Sequence, residues 1–207
     1  TLSPSKFDTM SIKAGKVKAF LLGAGRGSRL RPITDTVPKC LVPIGGKTLL
    51  QRWLEALHEA GINEALINTH WLHQKVVRFA EKWDHSKVRL QTVFEPKLLG
   101  SAGTIVENAG WVEDAAEILI IYADNYPNMD LGDILDFHLN HDKEITLGVF
   151  KSPVPEKCGI IEVGASGEPV SFVEKPKFPQ SDLAAAGLYL FSHRVVGTIA
   201  EIQRHAG

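Results

Sequence analysis

Cysteine is scarce in this 207-residue sequence: Cys40 and Cys158 stand far apart, with no C-x-x-C spacing. That argues against a disulfide framework or a thiolate zinc site, and for free thiols in a reducing cytoplasm. An excess of one charge is also missing, since 23 Lys+Arg against 24 Asp+Glu leave a formal net charge of −1. Neither nucleic acid nor an anionic membrane has a global electrostatic reason to bind such a chain. No apolar run approaches the roughly 18 residues of a membrane span. The opening TLSPSKFDTMSIKAGK lacks the apolar stretch of a signal peptide. Residues 1–15 read as a flexible polar extension. Internal repeats and low-complexity tracts are absent.

What is present is 44% hydrophobic content, enough for one substantial core in a single domain over 16–207. Apolar runs predict strands over 16–22, 65–68, 88–94, 118–122 and 145–150, the run Ile118 to Tyr122 (ILIIY) being the most buried in character. Helical spacing predicts helices over 48–60, 72–83, 101–108 and 131–141 between them, and 195–205 near the end. Such alternation points to a Rossmann-like three-layer α/β/α sandwich around a mostly parallel mixed sheet. From about residue 158 the pattern turns to a β-hairpin, 159–163 and 170–173, and a returning strand over 186–191.

In open α/β sheets ligands gather beyond the C-terminal ends of the strands. After the first predicted strand comes LGAGRGSRLRPITDTVPK, residues 22 to 39. Gly23, Gly25 and Gly27 free the backbone to turn its N–H groups around an anion, and Arg26, Arg29, Arg31 and Lys39 surround it with positive charge. This is the chemistry of a polyphosphate cradle. It is not a dinucleotide fingerprint, because the spacing is G-x-G-x-G, and Pro32 and Pro38 oppose a long helix straight after it. Nor is it a P-loop: Gly46-Lys47-Thr48 supplies the ending, but Leu41 stands where the first glycine belongs. After the third strand comes a second small-residue turn, Glu95 to Thr104, and after the fourth Ala123-Asp124-Asn125. The histidine pairs His70/His73 and His138/His141 lack a third ligand and read as solvated strand-end or helix residues. Trp53, Trp71, Trp83 and Trp111 read as packing anchors.

The run Leu22-Gly23-Ala24-Gly25-Arg26-Gly27-Ser28-Arg29-Leu30-Arg31-Pro32, continued to Pro38-Lys39-Cys40-Leu41-Val42-Pro43, resembles the signature of the sugar-phosphate nucleotidylyltransferases. Leu99 to Gly103, Tyr122 to Asn125, Val173-Glu174-Lys175-Pro176 and Ala186 to Tyr189 extend the resemblance over about residues 16 to 200. It implies an enzyme that joins a nucleoside triphosphate to a sugar 1-phosphate, releasing pyrophosphate. Arg29, Lys39, Asp124 and Lys175 are then the expected catalytic residues. Arg29 is expected on the β,γ-phosphates, Lys39 near the α-phosphate, Asp124 on Mg²⁺, and Lys175 on the sugar phosphate. Leu22, Gly23, Ala24, Gly25, Arg26, Gly27, Ser28, Glu95, Gly100 and Ser101 are expected around the nucleotide. Gly159, Glu174 and Gly187 are expected around the sugar, which makes the hairpin a small sugar-binding portion. A homo-oligomer is compatible with the family, and no nucleic acid or membrane partner is implied.

Two departures accompany the resemblance. The family's later Asp, in a D-x-G-T-like segment, has no counterpart before Gly207, which leads us to expect a chain truncated at its C-terminus. Asp182 and Ala185 also stand where relatives often carry amides or hydroxyls. The short form and Lys157 to Glu162 favour GTP with mannose or heptose 1-phosphate. UTP- and dTTP-using relatives, transfer to a non-sugar phosphate, and a non-catalytic nucleotide-sugar sensor remain open.

Overall fold

The computed structural model describes residues 16–126 and 128–206, so the extension read over 1–15 lies outside it. Strand β1 (Val17–Leu22) alternates its side chains between two apolar layers, which is why both Phe20 and Leu21 are fully buried. It pairs in parallel with β4 (Glu64–Thr69) and β6 (Glu117–Tyr122), Phe20 standing between Leu66 and Ile120. Strand β5 (Arg89–Phe94) extends the parallel run beyond β4. Between β1 and β4 lie the short helix α1 (Ile33–Thr36) and a small hairpin, β2 (Pro43–Ile44) with β3 (Lys47–Thr48).

On one face, helix α2 (Leu49–Glu59) starts where the Thr48 hydroxyl accepts the Gln51 N–H at 3.1 Å. It buries Leu50, Trp53, Leu54 and Leu57 against Leu21, Ile67 and Ile121. Helices α3 (His73–Lys82) and α5 (Leu131–Leu139) complete that layer through Val76, Ala80, Leu131 and Leu135. The opposite face is covered by α4 (Gly100–Glu107) and α6 (Arg194–Ala206), with Ile105, Val195 and Val196 on Phe20, Leu66, Ile118 and Ile120. Truncating one such side chain, as in Leu54→Ala, costs about 2–5 kcal/mol. The three layers expected from the alternation are those observed.

Beyond β6 the sheet turns antiparallel. Strand β10 (Leu183–Ser192) pairs with β6 through 188–192 and with β7 (Ile145–Lys151) along both of its halves. Its register against β7 shifts between Ala185 and Tyr189. At Ala184 it also meets β8 (Gly159–Val163), which forms the expected hairpin with edge strand β9 (Pro169–Glu174). The order is β5-β4-β1-β6-β10-β8-β9, with β7 on β10. Strand β10 starts three residues earlier than predicted, because Ala184 pairs with both β7 and β8 and Ala185 with β7, partners that no local pattern announces.

His138 is not solvated but 4% exposed, bonded to Thr146 Oγ1 at 2.8 Å and Glu117 Oε2 at 3.1 Å. His141 joins the same hydroxyl at 2.8 Å. A buried imidazole is tolerated because both ring nitrogens have partners.

Candidate active site

At the C-terminal end of β1 the chain leaves the sheet and folds back. The Gly23 N–H donates to Asn68 Oδ1 at 2.8 Å, and no hydrogen bond among the described residues takes up the N–H groups of Ala24, Gly25, Arg26, Gly27 or Ser28. Gly27 reverses the chain at φ 61°, where a Cβ would lie 3.0 Å from Thr34 and 3.1 Å from Lys39, so only glycine fits. The Thr34 hydroxyl donates to the Gly27 carbonyl at 2.8 Å, and the Trp71 indole donates to the Thr34 carbonyl at 2.8 Å. The turn is thus held by its carbonyls while consecutive N–H groups stay available to an anion.

The four expected cations of this segment have different fates. Arg31 pairs with Asp35 at 3.1 Å. Arg26 lies over the Trp71 ring, 5.4 Å from its centroid, so this half-buried tryptophan is a cation–π surface as well as an anchor. Arg29 is exposed and has no ion-pair partner among the described residues. Lys39, placed by Pro38 on a short turn, reaches across to Asp124 just past β6, with Nζ 2.7 Å from Oδ2. Beneath them the Cys40 thiol is fully buried, and burial pushes its pKa up to about 12.

Ala24 and Gly25 of the turn and Asp124 border a cleft of about 260 Å³, whereas Arg26, Arg29, Arg31 and Lys39 are not part of its lining. Of the residues expected around the nucleotide, Leu22, Ala24, Gly25, Glu95, Gly100 and Ser101 line it, and Asp124 closes one side. Gly23, Arg26, Gly27 and Ser28 belong to the turn behind or beside it. Asn68, Leu98 and Tyr122 also line the cleft and were not anticipated. Asn68 stands in register with Leu22 at the end of β4, so the strand-end rule that pointed to Asp124 had equal force for it. Its amide donates to Glu95 Oε1 at 2.9 Å and to Thr104 Oγ1 at 3.1 Å. Glu95, only 2% exposed, also accepts the Thr104 hydroxyl on Oε1 and the Leu99 N–H on Oε2 at 3.2 Å. A buried carboxylate is thereby satisfied on both oxygens, and the Gly23 turn is tied to the loop that opens α4. On the far wall the Tyr122 hydroxyl lies 2.9 Å from Ser101 Oγ. Burial, reinforced by Tyr122 beside it, raises the Tyr189 hydroxyl to about 12, so it stays protonated.

The hairpin residues lie outside this lining. Gly159 is paired with Glu174, whose Oε1 is 3.1 Å from Lys175 Nζ, both side chains being exposed. Lys175 has φ 47°, a left-handed conformation that a side chain adopts at a cost, and its N–H donates to the Cys158 carbonyl at 2.9 Å. Gly187 does reach the cleft's neighbourhood. At φ 69° it leaves room for Tyr122 and for the Asn125 amide, each 2.9 Å from where a Cβ would stand. Lys175 is therefore drawn to Glu174 rather than to the Lys39–Asp124 pair.

Among the described residues no group of three or more Asp, Glu, His or Cys is arranged around a metal. Asp124 offers one oxygen beside its bond to Lys39, whereas both oxygens of Glu95 are engaged. This donor set fits a hard divalent cation that takes most of its ligands from phosphate oxygens and water. No helix among the described residues is long and apolar enough to cross a membrane.

A glycine turn with open N–H groups at the switch of a doubly covered sheet defines an α/β protein with an anion-binding strand end. The family described as nucleotidyl transferase matches residues 18–206, and the chain belongs to it. The mannose-1-phosphate guanylyltransferase catalytic subunit beta of Xenopus tropicalis is 32% identical over 186 residues, 88% of this chain and 52% of the relative. A mannose-1-phosphate guanylyltransferase of Mycobacterium tuberculosis is 31% identical over 188 residues, 90% of this chain and 52% of that protein. The chain thus spans about half the length of the curated relatives it matches. Among solved structures, a Bacillus anthracis protein described as a glucose-1-phosphate thymidylyltransferase, in complex with a sucrose, is similar at TM-score 0.81 and 26% identity. That likeness covers 89% of this chain and 75% of the other.

Proposed function

We propose that this chain carries the transfer site of a sugar-1-phosphate nucleotidylyltransferase, with GTP and mannose 1-phosphate favoured as substrates and heptose 1-phosphate next. The observation that carries the reading is the meeting of the open N–H turn and the Lys39–Asp124 pair at one end of the parallel strands. A phosphate oxygen of the sugar 1-phosphate attacks the α-phosphorus in line. The bond from that phosphorus to the bridging oxygen breaks, and pyrophosphate takes the electron pair. Such a reaction asks the protein for position and charge, not for a covalent nucleophile.

The N–H groups of residues 24–28 cradle the triphosphate, and Arg29 neutralises the departing pyrophosphate. Lys39 leaves Asp124 for the α-phosphate and offsets the charge that builds there. Asp124 would hold Mg²⁺, which when bound would supply further neutralisation of the phosphates. Glu95, held by Asn68 and Thr104, frames the base together with Gly100 and Ser101, while Glu174, Gly159 and Gly187 face the sugar. Lys175 exchanges Glu174 for the sugar phosphate. The names of the relatives support the guanylyl and mannosyl preference. The test is pyrophosphate release from GTP, UTP, dTTP, CTP and ATP, each crossed with several sugar 1-phosphates and Mg²⁺. Release with GTP and mannose 1-phosphate is expected. Release only with UTP or dTTP corrects the base, and nucleotide-sugar binding without release with any pair favours a sensor.

A further inference from the structure

The turn that carries Asp124 has little packing of its own, because Asn125 and Tyr126 are both exposed. It is fastened from α2 instead. Trp53, 2% exposed within the core, donates its indole N–H to the Asn125 carbonyl at 3.0 Å. Arg52, next to it on the helix, lies over the Tyr126 ring, 5.3 Å from the centroid, and donates to the Ile44 carbonyl at 2.5 Å. From the other side the Asn125 amide donates to the Ala186 carbonyl at 2.9 Å, while its N–H donates to the Tyr122 carbonyl at 3.0 Å. Immediately before Asp124, Ala123 is fully buried and its N–H donates to the Leu22 carbonyl at 3.0 Å.

We infer that Trp53, assisted by Arg52, is a positioning residue for Asp124: helix α2 sets where the carboxylate meets its cation. The inference rests on the proposed role of Asp124. A buried indole N–H calls for an acceptor, and this one finds it not in its own helix or the sheet but in the exposed turn that carries Asp124. Trp53 combines a fixed ring, locked by packing on Leu50, Leu54 and Leu57, with a donor aimed at the residue adjoining Asp124. Through Arg52 the β2–β3 hairpin is joined to the same turn.

The test compares Trp53→Phe, which keeps an aromatic ring and removes the donor, with Leu57→Ala, which removes core packing from the same helix and no donor. Amide exchange of residues 122–126 and the Mg²⁺ concentration for half-maximal pyrophosphate release are measured in both. Losing one fixed bond predicts roughly tenfold faster exchange and a roughly tenfold higher Mg²⁺ requirement in Trp53→Phe, with the KM for nucleotide unchanged. Leu57→Ala should lower the melting temperature and move neither readout. Unchanged exchange and Mg²⁺ requirement in Trp53→Phe overturn the inference. If the wild-type protein releases no pyrophosphate with any substrate pair, the functional reading falls, and exchange alone decides whether Trp53 holds the turn. Should Trp53→Phe fail to fold, Arg52→Ala is scored by the same exchange measurement: faster exchange at 122–126 upholds the clamp, and unchanged exchange rejects it.

Discussion

Lys39 Nζ lies 2.7 Å from Asp124 Oδ2, so the two residues assigned to opposite partners, a phosphate and a metal cation, hold each other. Each occupies the position its counterpart's partner would need. The ammonium beside the free oxygen of Asp124 repels a metal cation, so separation of the pair favours binding of metal and nucleotide, and Lys39→Gln removes both the obstacle and the phosphate ligand. We predict that Lys39→Gln binds Mn²⁺ more tightly than wild type in the absence of nucleotide, while turnover falls by about 10²–10³. Electron paramagnetic resonance of Mn²⁺, paired with pyrophosphate release, checks both halves.

Arg29 is exposed and, unlike Arg31 with Asp35 and Arg26 over Trp71, has neither an ion-pair nor a ring partner among the described residues. Arg29→Ala should leave the melting transition within about 0.5 kcal/mol of wild type, as exposed substitutions do. Turnover should nonetheless fall by about 10²–10³ if the guanidinium neutralises the leaving group. Asp124→Ala belongs to the same class of loss. Retained turnover in either variant contradicts the assigned role.

Asn68 presents the reverse case, a residue whose loss is felt first in stability. Asn68→Ala strips the Gly23 N–H of its acceptor and Glu95 Oε1 of one donor, in a site only 6% exposed for Asn68. Each buried group left unpaired costs about 1–3 kcal/mol, and a loss of roughly 2–4 kcal/mol is expected in urea unfolding. Thr104→Val, which leaves Asn68 in place, should cost less.

The two thiols should differ in reactivity. Burial holds the Cys40 thiol protonated up to about 12, whereas Cys158 is partly exposed beside Ser152. Iodoacetamide at pH 8 should modify Cys158 in the native protein and reach Cys40 only after denaturation. Because the Cys40 pKa is raised, increasing pH should not expose it until well above the range where an ordinary thiol ionises. Peptide mass mapping before and after urea decides this.

Much of the architecture was legible because the informative residues act locally. The run Ile118 to Tyr122 declares a strand buried on both faces, and Leu50, Trp53, Leu54 and Leu57 declare a helix by spacing alone. The antiparallel half was less visible: β10 owes its length to partners in β7 and β8, which small residues such as Ala184 do not advertise. The same division holds in the cleft. Glycines and arginines at the end of β1 announce phosphate chemistry by composition. Asn68 and the Trp53 indole act through bonds to Gly23 and Asn125, 45 and 72 positions away, which no periodicity encodes. Nor does sequence reveal that Lys175 adopts a left-handed backbone or that His138 is buried against Glu117.

The central claim is transfer chemistry at the cleft between the glycine turn and Asp124, and pyrophosphate release tests it most directly. With Mg²⁺, GTP and mannose 1-phosphate, the account predicts stoichiometric pyrophosphate and GDP-sugar, abolished in Asp124→Ala with the protein still folded. Absence of pyrophosphate from every nucleotide and sugar 1-phosphate pair, or release undiminished in Asp124→Ala, would contradict it.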